Sequence, residues 1–557
     1  MTRVLDWGRR LGANISHGVR RGIAARALPR GHLVWVVVRI HASMREGPPP
    51  IVAREPMLGL LEALEVLESA ADDPRVGGVL LRIVGAPTGW SKVHSLRRAV
   101  IRVREAGKPV AVYAETLDAA GFLLASAATT IWLPEAGNLF LVGLRAESYF
   151  FRGLLDNLGV RPDVVRAGDY KSAAERFTRD RMSPEAREQL EALVDDLFSE
   201  LVDGIAAGRG LDAARVRALI DRGPFHARAA AEAGLIDECL YPDEIEDKLA
   251  LLGEEADEPV ARSVSLPAAL QAKQQQKVRL VDAVAYRNIR LTARAFIPMG
   301  VSLPRIAYVV ASGTIRRGTD GRGISSGSMS KLLERLRERD DVRGVVLRID
   351  SPGGDAIASD LLWRAVSRVA EIKPVVASMG DVAASGGYFL AAAAHRVFAE
   401  AGTMTGSIGV IGGKVNLEGV YARLGVSKDA VERGARAGLL SDDRDFTPDE
   451  RAAIRDEISS MYDIFIDRVV SGRGLSRESV DRVARGRVWS GSAARSLGLV
   501  DAIGGPLDAL RSVCTRAGLD SDDPIALDRY PRRATLGRLS PAMLWRGRSG
   551  VVHGIDG

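Results

Sequence analysis

The segment best suited to chemistry surrounds Ser385, in GDVAASGGYFLAAAA (380–394). Small residues on both sides of the serine favour a tight turn from a strand into a helix, and the alanines that follow favour the helix. At a helix N-terminus, free backbone N–H groups and the helix dipole stabilise developing negative charge, as attack on a carbonyl requires. Ser385 is therefore a candidate nucleophile, although a serine that only caps the helix has the same pattern.

A serine hydroxyl needs a base, and the chain offers a lysine in GDYKSAAERF (168–177). His395 lies ten residues beyond Ser385, about 15 Å away along a continuous helix, which is too far for a hydrogen bond. Lys171 can take the proton if burial in an apolar pocket lowers its pKa and populates the neutral amine. Taken as a lone residue, Lys171 would be interpreted as an ordinary solvated surface charge.

The elements that must position these residues are duplicated. DDPRVGGVLLRI (72–83) returns as DDVRGVVLRI (340–349), and GKPVAVYAE (107–115) returns as IKPVVASMG (372–380), a spacing of about 265 residues. Each copy alternates β-branched runs with helical stretches, and LVWVVVRI (33–40) is the first predicted strand. Strands and helices in alternation predict parallel strands joined by crossover helices, and hence an α/β fold.

The two copies differ at the candidate residues. The simplest alignment places Ala120 opposite Ser385 and Ala437 opposite Lys171, so each copy holds half of a possible site. The two halves are therefore predicted to share one site, and neither is expected to be active alone.

The repeat boundaries predict five segments. These are a basic N-terminal arm (1–31), a first domain that supplies the lysine (32–252), a connector (253–300), a second domain that supplies the serine (301–515) and a C-terminal tail (516–557). The connector contains a glutamine tract and few repeat matches. The tail is rich in Arg, Ser and Pro and has no evident counterpart in the first copy.

Charge and metal-ligand patterns argue against several other functions. The formal net charge of +6 comes from the first 30 residues, which hold seven arginines and one acidic residue. No basic face extends over a domain, so no nucleic-acid partner is expected. The seven histidines and two cysteines show no metal-ligand spacing, and we expect neither a metal nor a cofactor.

Four motifs taken together, GDYKSAAERF, RIDSPGGD, GDVAASGGYF and TGSIGVIGG, resemble the signal peptide peptidase A (protease IV) family of serine–lysine peptidases, S49, in its long duplicated form. The resemblance spans roughly residues 33 to 515. It implies two tandem ClpP/crotonase-like domains and a serine endopeptidase that degrades cleaved signal peptides and similar apolar peptides through an acyl-enzyme. It makes Ser385 the nucleophile and Lys171 the general base, and Ser407 of the TGSIG motif assists the lysine.

The same resemblance implies an oxyanion site formed by the N–H groups of Gly354 and Gly386. It also implies self-association, as a homotetramer that encloses the sites. A crotonase-type acyl-CoA enzyme is an alternative with the same fold, but it gives the divided Lys/Ser pair no role. A catalytically inactive scaffold is the second alternative.

The family's members are attached to membranes, so peripheral membrane association is expected here. Apolar residues recur every four positions between the arginines of the arm, from Leu11 to Ile23, as in a basic amphipathic helix on an anionic membrane. Glycines weaken that helix, and a disordered arginine-rich arm is the equal alternative. LVWVVVRI is too short to span a bilayer, which needs about 20 apolar residues. No signal peptide is evident, so the cytoplasmic side is expected by default.

Overall fold

The computed structural model describes residues 33–47, 57–87, 89–257, 278–294, 303–319, 323–520 and 525–531. Two β-sheets covered by helices form two bodies, one from each copy of the repeat. The basic arm and most of the tail lie outside the described residues. Among the helices that the structure describes, none has the length and apolar composition needed to cross a bilayer.

The first copy begins at the predicted strand. Its strands are β1 (Leu33–Ile40), β2 (Val76–Ile83), β3 (Val110–Tyr113), β4 (Thr116–Asp118), β5 (Thr130–Leu133), β6 (Asn138–Phe140), β7 (Arg161–Ala167), β8 (Phe225–His226), β9 (Glu238–Cys239) and β10 (Val278–Asp282). Its helices are α1 (Leu60–Asp72), α2 (Trp90–Glu105), α3 (Ala119–Ala125), α4 (Arg152–Leu158), α5 (Glu175–Thr178), α6 (Pro184–Arg209), α7 (Ala213–Arg222), α8 (Ala227–Glu232), α9 (Ile245–Asp257) and α10 (Ala283–Arg294).

The second copy follows a similar order of elements, with some elements gained and others, such as a counterpart of β7, absent from its described residues. Its strands are β11 (Arg305–Ser312), β12 (Ile315–Arg316), β13 (Ile324–Ser325), β14 (Val342–Ser351), β15 (Val375–Ala384), β16 (Arg396–Ala399), β17 (Met404–Gly406), β18 (Val410–Asn416), β19 (Val488–Ser490), β20 (Ala502–Ile503) and β21 (Ala526–Tyr530). Its helices are α11 (Ser326–Glu338), α12 (Ala356–Ala370), α13 (Gly386–Ala391), α14 (Glu418–Leu424), α15 (Pro448–Arg473), α16 (Arg477–Val483), α17 (Gly491–Ser496) and α18 (Pro506–Arg516).

The two sheets have the same strand order. The first runs β10-β1-β2-β3-β5-β9, and the corresponding path in the second is β21-β11-β14-β15-β16-β20. Every neighbouring pair on both paths is parallel. The predicted α/β fold with two tandem copies is therefore confirmed.

Two edge strands come from segments in which the sequence predicted none. Residues 278–294, within the expected connector, form β10 beside β1 and helix α10 against α1. Strand β21, within the expected tail, pairs with β11. Each edge strand has only five residues and mixes charged with apolar side chains, so sequence comparison between the copies did not detect them. We propose domain boundaries that include both strands.

One strand of the first copy leaves its own body and joins the second. Strand β7 pairs antiparallel with β18, from Arg161 opposite Asn416 to Ala167 opposite Val410. The chain reaches Lys171 four residues after β7 ends. This pairing therefore delivers a residue of the first copy to the second.

A buried ion pair also joins the copies. Arg348 of β14 is fully buried and donates two hydrogen bonds of 2.8 Å to the Glu46 carboxylate, which follows β1 in the first copy. Arg348 also donates to Ser378 Oγ and to Met379 O on β15. Burial of the Glu46 carboxyl opposes its ionisation, but the adjacent guanidinium holds its pKa below the usual value. Strands β14 and β15 both lead to the candidate site, and this ion pair links them to the first copy.

Candidate active site

Ser385 lies between β15 and α13, at the strand-to-helix turn that the sequence predicts. Its backbone has φ 54° and ψ −119°, a conformation that costs energy in any residue except glycine. The Ser385 N–H donates to Gly406 O at 2.8 Å, and its carbonyl accepts from the Phe389 N–H at 2.9 Å. The surrounding backbone therefore holds the serine in a strained turn, with its side chain lining a cleft.

Lys171 approaches this serine from the first copy. Its Nζ lies 3.0 Å from Ser385 Oγ, 3.0 Å from Ser407 Oγ and 2.9 Å from Ser407 O. The fold thus brings together three residues that the sequence predicted from three separate motifs.

The environment of Lys171 disfavours its charged form. The residue is only 6% exposed, and the three oxygens around Nζ belong to two hydroxyls and a carbonyl, all uncharged. Burial lowers the pKa of Lys171 from 10.5 to about 8. A substantial fraction of the amine is therefore neutral at pH 8 and available as a base.

The main chain around Lys171 is fixed by a segment that the sequence analysis missed. The Tyr170 N–H donates to Arg485 O at 2.9 Å, and a Cβ on Gly486 would lie 2.6 Å from Lys171 Cβ. The Ser407 N–H donates to Arg487 O at 2.7 Å. Residues 485–487 therefore form a backbone wall against the lysine and Ser407. They contact Lys171 and Ser407 through backbone atoms, so they show no catalytic motif. Two adjacent residues with positive φ, Arg485 at 51° and Gly486 at 83°, mark the segment in the structure, and only the glycine is visible in the sequence.

Ser407 is also held in an unusual conformation. Its φ is 52°, so two of the three non-glycine residues with positive φ in the described chain are the serines beside Lys171. Such strain persists only where neighbouring structure enforces it, and it concentrates at functional sites.

Gly354 and Gly386 both line the cleft beside Ser385. A Cβ at Gly354 would lie 2.1 Å from Ile315 O, and a Cβ at Gly353 would lie 2.6 Å from the Gly386 nitrogen, so these glycines allow the loop to touch the serine turn. Within the described residues, the N–H groups of Gly354 and Gly386 donate no hydrogen bond to a protein acceptor. An oxyanion site requires N–H donors without a protein acceptor, and these two glycines meet that requirement.

The cleft around Ser385 has a volume of about 500 Å³. Glycines 409, 412 and 413 and the active-site glycines form part of its wall. Much of the remainder is apolar and comes from α12, α13 and α15: Ile357, Phe389, Ile454, Ile458, Met461 and Phe465. Charged side chains from Arg317, Asp355 and Glu457 also line the cleft, so it offers both apolar and charged contacts to a bound peptide.

Two details of the sequence analysis change. Helices α3 and α13 end in equivalent hydrogen bonds. The Ser126 N–H donates to Phe122 O at the end of α3, and the Ala392 N–H donates to Tyr388 O at the end of α13. By that equivalence, Ala119 rather than Ala120 stands opposite Ser385, and the conclusion that the first copy lacks the nucleophile is unaffected. His395 lies beyond the end of α13, where its Nδ1 accepts from the Val375 N–H, so it has a structural role.

Comparison with known proteins identifies the family of this chain. The profile of peptidase family S49 matches residues 102–255 and 367–520, one match in each copy. The chain is 33% identical to "Serine protease SPPA, chloroplastic" of Arabidopsis thaliana, over 90% of this chain and 71% of that protein. It is 29% identical to "Protease 4" of Haemophilus influenzae, over 80% of this chain and 71% of that protein. It is 30% identical to "Protease 4" of Salmonella typhi, over 84% of this chain and 75% of that protein. The chain belongs to peptidase family S49 and is a serine peptidase.

Proposed function

We propose that this serine peptidase is an endopeptidase in which Ser385 is the nucleophile and Lys171 is the general base. The contact of 3.0 Å between Lys171 Nζ and Ser385 Oγ, in a buried site that lowers the lysine pKa, carries the proposal. A nucleophile and a base within hydrogen-bonding distance are the geometric requirement for covalent catalysis by a serine.

The reaction follows from these positions. Neutral Lys171 takes the Ser385 Oγ proton while Oγ bonds to the peptide carbonyl carbon, and the carbonyl oxygen becomes an oxyanion. The N–H groups of Gly354 and Gly386 donate to that oxyanion, each contributing roughly 3 kcal/mol. The Lys171 ammonium then protonates the leaving amine as the C–N bond breaks, which leaves an ester on Ser385. Water attacks the ester while giving a proton to Lys171. The bond between the acyl carbon and Ser385 Oγ then breaks as Lys171 returns that proton to Oγ, and the acid product leaves.

Ser407 supports the base rather than the nucleophile in this mechanism. Its hydroxyl and its carbonyl both lie within 3.0 Å of Lys171 Nζ. Two contacts from one rigid residue orient the amine so that its remaining hydrogen-bonding direction faces Ser385 Oγ.

The proposed substrates are extended apolar peptides, including the signal peptides that remain after cleavage. The apolar wall of the cleft supports this choice, because an apolar side chain that enters it leaves water without stranding a polar group. We also propose that the chain self-associates, with the homotetramer as the expected form. Peripheral contact of the arginine-rich arm with anionic lipid is the proposed mode of membrane association.

The test uses the purified full chain and its Ser385→Ala variant. The parent chain should cleave an internally quenched apolar peptide, leave a matched peptide rich in Asp and Glu intact, and react with a fluorophosphonate at Ser385; the variant should do neither reaction. Failure of the parent chain to react with the probe would favour the inactive scaffold. Hydrolysis of an acyl-CoA without peptide cleavage would favour the crotonase-type enzyme.

A further inference from the structure

The helix that follows β2 in the first copy begins without a capping side chain of its own. RIVGAPTGW (82–90) and RIDSPGGDA (348–356) align without a gap, so Gly89, the residue before α2, corresponds to Asp355, the residue before α12. The Asp355 carboxylate accepts from the Ala358 N–H at 2.8 Å and thereby caps its own helix. Gly89 has no side chain with which to do the same for α2.

The second copy supplies the missing carboxylate. Asp381 Oδ1 accepts from the backbone N–H of Lys92 at 3.3 Å. Lys92 and Ala358 are each the third residue of their helix, so Asp381 caps α2 as Asp355 caps α12. A Cβ on Gly89 would overlap the Asp381 carboxyl group. The glycine therefore leaves room for a cap that comes from the other copy.

The side chain of Lys92 adds an ion pair to this cap. Lys92 is 5% exposed, and its Nζ contacts the Asp381 carboxylate and lies 3.9 Å from Glu46 Oε1. The Asp381 side chain is itself only 15% exposed. Salt screens such a pair much less than a pair on the surface, and the dipole of α2 also favours a carboxylate at its N-terminus. The backbone and the side chain of one first-copy residue thus hold one carboxylate of the second copy.

Asp381 belongs to a bulge of β15 that precedes Ser385. Between the register pairs 349–379 and 351–383, three residues of β15 lie opposite a single residue of β14. That residue is Asp350, whose Oδ1 accepts from the Val382 N–H at 3.2 Å. A bulge bends its strand and redirects the residues that follow it. Because Ser385 comes three residues after Val382, its position depends on the shape of the bulge.

We propose that Asp381 is a positioning residue for the peptidase. By capping α2 of the first copy, Asp381 fixes the bulge that directs Ser385 towards Lys171. The first copy also delivers Lys171, through the pairing of β7 with β18. It therefore positions both members of the pair, the base through β7 and the nucleophile through Asp381. The role of Asp381 rests on the catalytic pair of the proposed function, whereas the cap itself does not.

Moving the cap into the first copy separates positioning from stability. Asp381→Ala removes the carboxylate, and Asp381→Ala combined with Gly89→Asp gives α2 a cap of its own, as in α12. The thermal midpoint should fall in the single variant and recover in the double variant, because the double variant regains a helix cap. For the apolar peptide, kcat should stay about 10²-fold below the parent value in both, since a displacement of a reacting atom by about 1 Å has a cost of that size.

The Michaelis constant distinguishes a displaced serine from a damaged cleft. Asp381 is not among the described residues that line the cleft, so KM should keep its parent value in both variants. Recovery of kcat together with the thermal midpoint in the double variant would mean that Asp381 only stabilises the junction of the copies. That outcome would overturn the proposal.

Backbone hydrogen exchange reports on the serine turn without catalysis. The Ser385 N–H donates to Gly406 O, and the Phe389 N–H donates to Ser385 O. In the double variant, these two amides should exchange faster than in the parent chain, whereas the Lys92 amide should keep the parent rate. Parent rates at Ser385 and Phe389 would contradict the proposal. If the parent chain neither cleaves the peptide nor reacts with a fluorophosphonate, the proposed function fails, and the exchange rates still show whether Asp381 holds the turn.

A conservative variant guards against loss of folding. Asp381→Asn keeps the size of the side chain and an oxygen for the Lys92 N–H, but it removes the charge that faces the Lys92 ammonium. It should lower kcat about 10-fold at unchanged KM, because the hydrogen bonds of a charged group are roughly twice as strong as neutral ones.

Asp282→Asn is the matched control. Asp282 also accepts from a backbone N–H at the start of a helix, that of Val284, and pairs with a cation, Arg39, but it lies on the far edge strand of the first sheet. This control should keep the parent kcat. Parent kcat in Asp381→Asn, or an equal loss in the control, would contradict a specific role for Asp381.

Discussion

Lys171 Nζ lies 3.0 Å from Ser385 Oγ although the two residues are 214 positions apart and belong to different copies of the repeat. The pairing of β7 with β18 makes this contact possible, because it places the end of a first-copy strand beside the second-copy serine turn. The residues at the matching positions, Ala119 and Ala437, carry neither a hydroxyl nor an amine. The two copies therefore form this contact once in each chain.

The pH dependence of peptide cleavage should follow Lys171. Because the neutral amine is the base and the pKa of Lys171 is about 8, kcat/KM should rise with pH and level off above a midpoint near 8. Lys171→Ala should lower the rate about 10²- to 10⁴-fold, and Lys171→Arg should be equally poor because its guanidinium stays protonated. A flat profile from pH 6 to 10 with chemistry limiting, or full activity in Lys171→Ala, would remove the lysine from the mechanism.

Mixing inactive chains should not restore activity. The lysine and serine that touch belong to one chain, so a Ser385→Ala chain and a Lys171→Ala chain each lack half of their only pair. Co-refolded mixtures, assayed with the apolar peptide, should stay at the level of the separate variants. Recovery towards one quarter or more of the parent rate would mean that strands such as β7 exchange between chains.

The sequence predicted which side chains meet at this site, and it missed the backbone segments that hold them. Ser385, Lys171 and Ser407 carry reactive groups, so comparison of the copies and the motif resemblance could identify them. Residues 485–487 position the lysine through carbonyls and the absence of a side chain at Gly486. Such backbone contacts depend on tertiary structure, and no particular residue type predicts them.

For a related reason, the sequence did not predict the edge strands or the pairing of β7 with a strand of the other copy. Strands β10 and β21 hold equivalent places in the two sheets but share no sequence motif, because a short edge strand needs only alternating burial on one side. Pairing of β7 with β18 joins segments of different copies, whereas comparison of copies relates β7 to residues 427–433. Sequence similarity between repeats therefore indicated equivalence and could not indicate contact.

Replacement of Lys171 by methionine should stabilise the protein at neutral pH. The lysine has a pKa of about 8 when folded, against 10.5 when unfolded, so below pH 8 burial of the charged amine opposes folding by up to about 3 kcal/mol. Between pH 8 and 10.5 the unfolded chain binds more protons, so parent stability rises with pH and the advantage of Lys171→Met shrinks. Urea unfolding at pH 7 and pH 10 measures both. An equal difference at the two pH values would contradict the lowered pKa.

The strained turn at Ser385 should be relieved by glycine. With φ 54° at this position, Ser385→Gly should be more stable than Ser385→Ala by about 1 kcal/mol, because glycine alone adopts positive φ without a Cβ penalty. Both variants lack Oγ and should be inactive, so activity cannot explain the difference. Thermal unfolding of the pair checks it; a more stable alanine variant would mean that the serine conformation is unstrained.

The buried pair of Glu46 and Arg348 should matter more when one partner is lost than when both are replaced. Glu46→Ala leaves the fully buried Arg348 guanidinium without its carboxylate and should cost about 3–5 kcal/mol of unfolding free energy. Glu46→Leu combined with Arg348→Met removes both charges and should cost much less, since apolar replacements avoid the desolvation penalty. Chemical unfolding of the single and double variants gives the coupling directly. Additive losses would mean that the two residues stabilise the copies independently. Coupled losses, with peptide cleavage weakened in Glu46→Ala, would show that the contact between copies also holds β14 and its glycine loop against Ser385.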